Sequence, residues 1–188
     1  MRKIWIVLFA FLFMPAVAGA VPIAFDVYAL QNSTSGTGVG LDTLIHLDAG
    51  DIFSVQVDPG DLWNAGALPR WSNADGLTGN LFATGTDDSG QPAGTLIGTN
   101  FGLWPQHGLN LPFGTLVGSI GGQFFAIGTS FLGPAPASGN LLLYYWDSNN
   151  GDNTEFVTAS VDVVPEPTTL LLIGSGLLGL AARRRRSS

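Results

Sequence analysis

The sequence has 188 residues, no cysteine and a formal net charge of −7. Lack of cysteine excludes disulfide bonds, thiol catalysis and thiolate metal sites. Six of the seven basic residues lie at the termini, leaving Arg70 alone against 13 acidic residues between Asp26 and Asp162. That balance repels phosphate backbones and excludes nucleic acid as a partner, while it attracts divalent cations.

In chain order, the first segment is Met1-Arg2-Lys3, an apolar run from Ile4 to Met14, Pro15, and the small residues Ala16 to Ala20. A basic end, a short apolar middle and a small-residue cleavage region make a secretory signal peptide over residues 1–20, cut after Ala20 or Ala18. Strands are predicted at Ile23–Leu30 and Leu41–Leu47. At 53–57, Phe53, Val55 and Val57 alternate with Ser54, Gln56 and Asp58. The stretch from Gly60 to Asn110 reads mostly as loop, long enough to be functional or disordered. Further strands are predicted at Thr115–Ile120 and Phe124–Ile127, with Gly121-Gly122 as the hairpin turn between them. Leu141, Leu143 and Tyr145 alternate with Leu142, Tyr144 and Trp146, and Val157, Ala159, Val161 and Val163 alternate with Thr158, Ser160 and Asp162. About eight short strands, with no sustained helical period, predict an all-β sandwich over residues 21–164.

The segment 147–153 carries Asp147, Asn149, Asn150, Asp152 and Asn153. Calcium takes six to eight oxygens from carboxylates, amides and carbonyls on a flexible loop, and this loop can supply several. It lacks the EF-hand spacing, and its composition also suits a polar Asx-rich turn.

The chain ends in Pro165-Glu166-Pro167, a Gly-containing apolar run from Leu170 to Ala182, and Arg183, Arg184, Arg185 and Arg186. The prolines give an extended, protease-accessible segment. The apolar run is near the lower length limit for a membrane-spanning helix, and the arginines hold its end in the cytoplasm. Residues 165–188 closely resemble the PEP-CTERM sorting signal of Gram-negative bacteria. The resemblance implies recognition of Pro165, Glu166, Pro167 and the arginine cluster by an exosortase. It also implies a transient inner-membrane anchor, cleavage, and delivery of the domain to the outer surface or an exopolysaccharide matrix.

A second resemblance rests on ordered pieces: Ile45–Leu47, Gly50-Asp51, Val55–Val57, Gly60 with Trp63, Asp75-Gly76, Gly114 to Ile120, Phe125 to Gly128, Gly139-Asn140-Leu141, Asp147, Asp152-Asn153 and Val161. Over residues 41–163 this is similar to the PA-IL-like lectin domain, a calcium-dependent, galactose-binding β-sandwich of jelly-roll type. The resemblance implies calcium held by the side chains of Asp147, Asp152 and Asn153, a carbonyl of Asn149 or Asn150, and the carbonyl of Gly66. It implies sugar contacts from Gln106 and His107, with Trp104 as a stacking candidate. The expected function is non-enzymatic, calcium-dependent binding of a galactose-type or other glycan. The alternative is a structural matrix protein in which calcium only stabilises the loops. A hydrolase would need a nucleophile–base pair or two poised carboxylates. The only histidines are His46, read as a strand-face residue, and His107.

Overall fold

The computed structural model describes residues 21–164. The signal-peptide and sorting-tail segments expected at residues 1–20 and 165–188 lie outside these described residues. Every regular element within them is a strand. In order these are β1 (Ile23–Tyr28), β2 (Leu41–Leu47), β3 (Ile52–Val57), β4 (Trp63–Asn64), β5 (Trp71–Ser72), β6 (Leu81–Phe82) and β7 (Leu96–Gly98). They continue with β8 (Leu103–Gln106), β9 (Leu109–Pro112), β10 (Leu116–Ile120), β11 (Gln123–Ala126), β12 (Ser130–Pro134), β13 (Gly139–Tyr145) and β14 (Phe156–Val163).

Eight of these strands build two four-stranded sheets, ordered β1-β14-β3-β12 and β11-β10-β13-β2, and every pairing is antiparallel. If those eight are ranked along the chain, one sheet takes the first, eighth, third and sixth. The other takes the fifth, fourth, seventh and second. That interleaving is the jelly-roll arrangement, in which the chain crosses repeatedly between two facing sheets.

The apolar faces that drive this assembly follow from the two-residue period of the strands. Val157, Ala159 and Val161 of β14 and Phe53, Val55 and Val57 of β3 turn inward from one sheet. Leu141, Leu143 and Tyr145 of β13 and Leu116 and Ile120 of β10 meet them from the other. Phe53 packs against Phe131 at 5.0 Å and Phe125 at 6.0 Å, and Trp63 meets Tyr145 edge-on at 4.6 Å. The Trp63 indole N–H donates to the carbonyls of Gly114 and Asn73, which allows so large a polar-tipped ring to be fully buried. Gly121 and Gly122 have φ of 58° and 81°, so the β10–β11 turn is of the type that needs left-handed backbone at both central positions.

The stretch 60–110 is mostly loop, as expected. It is ordered by the short ribbons β4–β5 and β6–β7 and most of the hairpin β8–β9, and it encloses a second small core of Leu62, Trp71, Ala83 and Ile97. Strand β12 was not foreseen, because Ser130-Phe131-Leu132-Gly133-Pro134 includes residues that weaken strands. It is an edge strand, paired only to β3, where a proline at its end is tolerated.

Candidate functional site

The loop after β13 is held from several sides. Asp147 is tied through its backbone to Thr34. Its N–H donates to Thr34 Oγ1 and its carbonyl accepts from the same hydroxyl, each at 3.2 Å. The Asn150 amide donates to the Leu30 carbonyl at 2.8 Å, and the Asn153 amide donates to the Ala29 carbonyl at 3.1 Å. Both anchors lie on the turn that follows β1. The Asn153 N–H also returns to the Asn150 carbonyl at 3.2 Å. The amide-rich composition is therefore used structurally: the NH2 groups fasten the loop and leave side-chain oxygens over.

Two of those oxygens are informative. Asp147 and Asn153 are only 4% and 3% exposed, and Asp147 Oδ2 and Asn153 Oδ1 accept no hydrogen bond. Buried acceptors without donors are costly and rare in folded proteins. Burial pushes the Asp147 carboxyl above its ordinary pKa. The Asn153 side chain and the N–H groups of Ser148 and Asn149 pull the other way, and the nearby Asp152 charge adds to the rise. The hydroxyl of Tyr145, buried and unpartnered, is raised well above its ordinary value, first by burial and then by the charges of Asp147 and Asp152.

The ribbon β4–β5 brings in the other side. Asn64 exchanges backbone hydrogen bonds with Thr154 at 3.0 and 3.1 Å, which fixes the following turn against residues 152–153. In that turn the Gly66 N–H donates to Asn64 Oδ1 at 2.8 Å, and Gly66 adopts φ of 112°. A Cβ at this position would collide with the Asp152 carboxylate. Glycine is required there both by the backbone and by the close approach. The structure thus brings Asp147 together with Asn153, and Asp152 together with Gly66. Of the two loop carbonyls, that of Asn150 already takes an N–H, whereas that of Asn149 takes no hydrogen bond from any described residue.

No group of three or more His, Cys, Asp or Glu side chains comes together among the described residues. The donors here are two carboxylates plus amide and carbonyl oxygens. That is a hard-oxygen set suited to calcium rather than to a transition metal. The two orphaned buried oxygens fit the same ion.

The sugar-contact candidates lie on the β8–β9 hairpin. His107 and Gly108 form its two-residue turn, with φ of 47° and 81°. Gln106 donates through Nε2 to the Thr34 carbonyl at 2.9 Å, so it reaches the residue that also holds Asp147. Its Oε1 is buried without a partner. The His107 ring stacks flat on Phe124 at 4.0 Å and meets Trp146 edge-on at 6.3 Å. Trp104 is half-buried against Phe113, and its carbonyl accepts the Trp146 indole N–H at 2.9 Å. His46 lies exposed on β2, 3.8 Å from Asp48. Sequence reasoning missed Thr34, which nothing in the pattern marks. It noted Arg70 only as a charge, although Arg70 stands 3.8 Å from Asp152.

A profile of the PEP-CTERM protein-sorting motif matches residues 163–186. The chain therefore ends in a sorting signal that implies exosortase-dependent export with transient membrane anchoring. Among solved structures the chain is similar to the N-terminal domain of EclA, described as a PllA-like lectin. The two are 19% identical, the match covers 76% of this chain and 97% of that one, and the TM-score is 0.48. No curated protein matches.

Proposed function

We propose that this protein is an exported, non-enzymatic carbohydrate-binding module that depends on calcium and is delivered to the cell surface or exopolysaccharide matrix of a Gram-negative bacterium. The observation that carries the reading is the pair of buried, unpartnered acceptors, Asp147 Oδ2 and Asn153 Oδ1, beside Asp152 and Gly66. Asp147, Asp152 and Asn153 would hold the ion through side chains, with carbonyls of Gly66 and of Asn149 or Asn150. Bound calcium supplies a Lewis-acidic centre that accepts neutral hydroxyl oxygens, here two vicinal hydroxyls of a galactose-type sugar. The remaining work falls to the chain. Thr34 fixes the backbone of Asp147, and Gln106, held by Thr34, stands ready to orient a ligand hydroxyl. The ordered resemblance over residues 41–163 supports the same reading.

Calcium titration should raise the melting temperature of the full chain, as ligand binding to the folded state requires. Asp147→Ala should abolish the rise; no rise in the unaltered protein would refute the metal assignment. Retention on galactose resin, lost in chelator, tests the sugar.

A second reading has its own support. The Gln106 amide is committed to Thr34, and one face of His107 is covered by Phe124. In that reading the protein is a matrix component and calcium only stiffens its loops. A calcium-dependent melting shift with no binding across a glycan array would select it. For delivery, mass spectrometry of protein recovered outside the native host should find a chain ending near Pro165. A product that retains Arg183 to Arg186 would contradict processing.

A further inference from the structure

Arg70 is the only lysine or arginine between residues 21 and 164, and it stands beside the loop that carries Asp147, Asp152 and Asn153. It is held along its whole length. Its backbone carbonyl accepts the Ala65 N–H at 3.0 Å, and its backbone bridges to Gly98. Its guanidinium lies 4.6 Å above the Phe101 ring and donates to the Ala65 carbonyl at 3.4 Å. From that position Nη1 faces Asp152 Oδ2 at 3.8 Å, on the carboxylate that abuts Gly66. The side chains of Arg70 and Asp152 are partly exposed, so the pair by itself contributes little to stability. Two separate ribbons nevertheless converge to place the domain's single permanent cation there.

We propose that Arg70 is a resident counter-cation for the 147–153 loop, neutralising Asp152 while no metal is bound and lowering calcium affinity by competing for that carboxylate. This rests on the reading of the loop as a calcium site. The physical reasoning is charge counting. A dication entering near a fixed guanidinium meets like-charge repulsion, and it shares one of its two carboxylates with that guanidinium. Calcium sites tune affinity through ligand charge and rigidity, and weak sites of about 10⁻⁴–10⁻³ M are those of extracellular modules. Arg70 gives this acidic domain such a site: loaded where calcium is plentiful, released where it is scarce. The charges of Asp147, Asp152 and Arg70 all act on the buried Tyr145 hydroxyl, the first two raising its pKa and the third opposing them.

The test compares the full chain, in detergent solution, with Arg70→Gln, by calorimetric calcium titration and by thermal unfolding in chelator and in calcium. The variant should bind calcium on the order of tenfold more tightly. It should melt lower than the unaltered protein in chelator and recover in saturating calcium. Arg70→Met keeps the hydrocarbon stem over Phe101 and should behave alike. With Asp152→Asn in the background, loss of Arg70 should no longer tighten binding. Equal or weaker affinity in both variants overturns the proposal, as does an equal fall in melting temperature with and without calcium. If the unaltered protein and both variants bind no calcium, the calcium reading itself fails and this inference falls with it. Binding by the unaltered protein with unchanged variants removes only the role of Arg70.

Discussion

Asp61 and Asp147 are both carboxylates drawn out of water, and they differ in what replaces it. Asp61 Oδ2 accepts the Thr158 N–H at 2.6 Å and so pins the loop after β3 to β14. Burial still raises its pKa above the ordinary value, with Asp88, Asp58 and Asp26 adding to the rise and the Thr158 bond opposing it. A raised native pKa means that the folded state favours the protonated form. The stability this group contributes is therefore complete below the ordinary carboxylate pKa and is lost as pH rises through the raised value. Asp61→Asn keeps an oxygen for Thr158 and removes the charge. Denaturant melts should show the variant more stable than the unaltered protein at pH 7, with the gain fading towards pH 3.5. A gain of the same size at both pH values would show that ionisation is not its cause. Asp147 has no such donor on Oδ2, and in the proposed calcium site the ion would be the partner of that second oxygen.

At the level of elements, what the sequence shows depends on length. The β14 alternation, Val157-Ala159-Val161 against Thr158-Ser160-Asp162, spans enough residues to display its period, and the strand forms as that pattern requires. Gly121-Gly122 marks its hairpin because left-handed backbone at two consecutive positions leaves few other choices. Ribbons such as Trp63-Asn64 with Trp71-Ser72 pair only two residues a side, too few for any period, so they read as loop. The candidate site divides in the same way. Its acceptors were legible because five Asx residues crowd one short segment. What holds them was not: Thr34 is 113 positions from Asp147, and Asn64 reaches Thr154 through backbone bonds that no side-chain pattern records. The β8–β9 hairpin shows a further consequence of packing. Trp146, the residue after β13, is fully buried, and its indole N–H donates to the Trp104 carbonyl of the hairpin at 2.9 Å.

The molecule as a whole carries 13 carboxylates and one arginine between residues 21 and 164, a charge that opposes its own compaction. Two different effects of added ions follow, and they separate by concentration. Screening is general: raising NaCl from about 10 mM to 0.3 M shortens the reach of charge–charge repulsion from roughly 30 Å to under 8 Å. That should raise the melting temperature by a few degrees, roughly the response of a domain this size to 1 kcal/mol. An ion held in the proposed loop site would act locally, and its effect should survive at 0.3 M NaCl, where screening has already relieved the repulsion. Asp147→Ala should keep the response to NaCl and lose the response to calcium. If calcium stabilises only at low salt, and Asp147→Ala responds to it as fully as the unaltered protein, the ion acts as diffuse counter-charge on an acidic surface. The loop would then be an Asx-rich turn with two unpaired oxygens. If the two responses separate, the acidity of the domain and the geometry of its loop are distinct properties, one drawing cations to the surface and the other selecting where a single one is held.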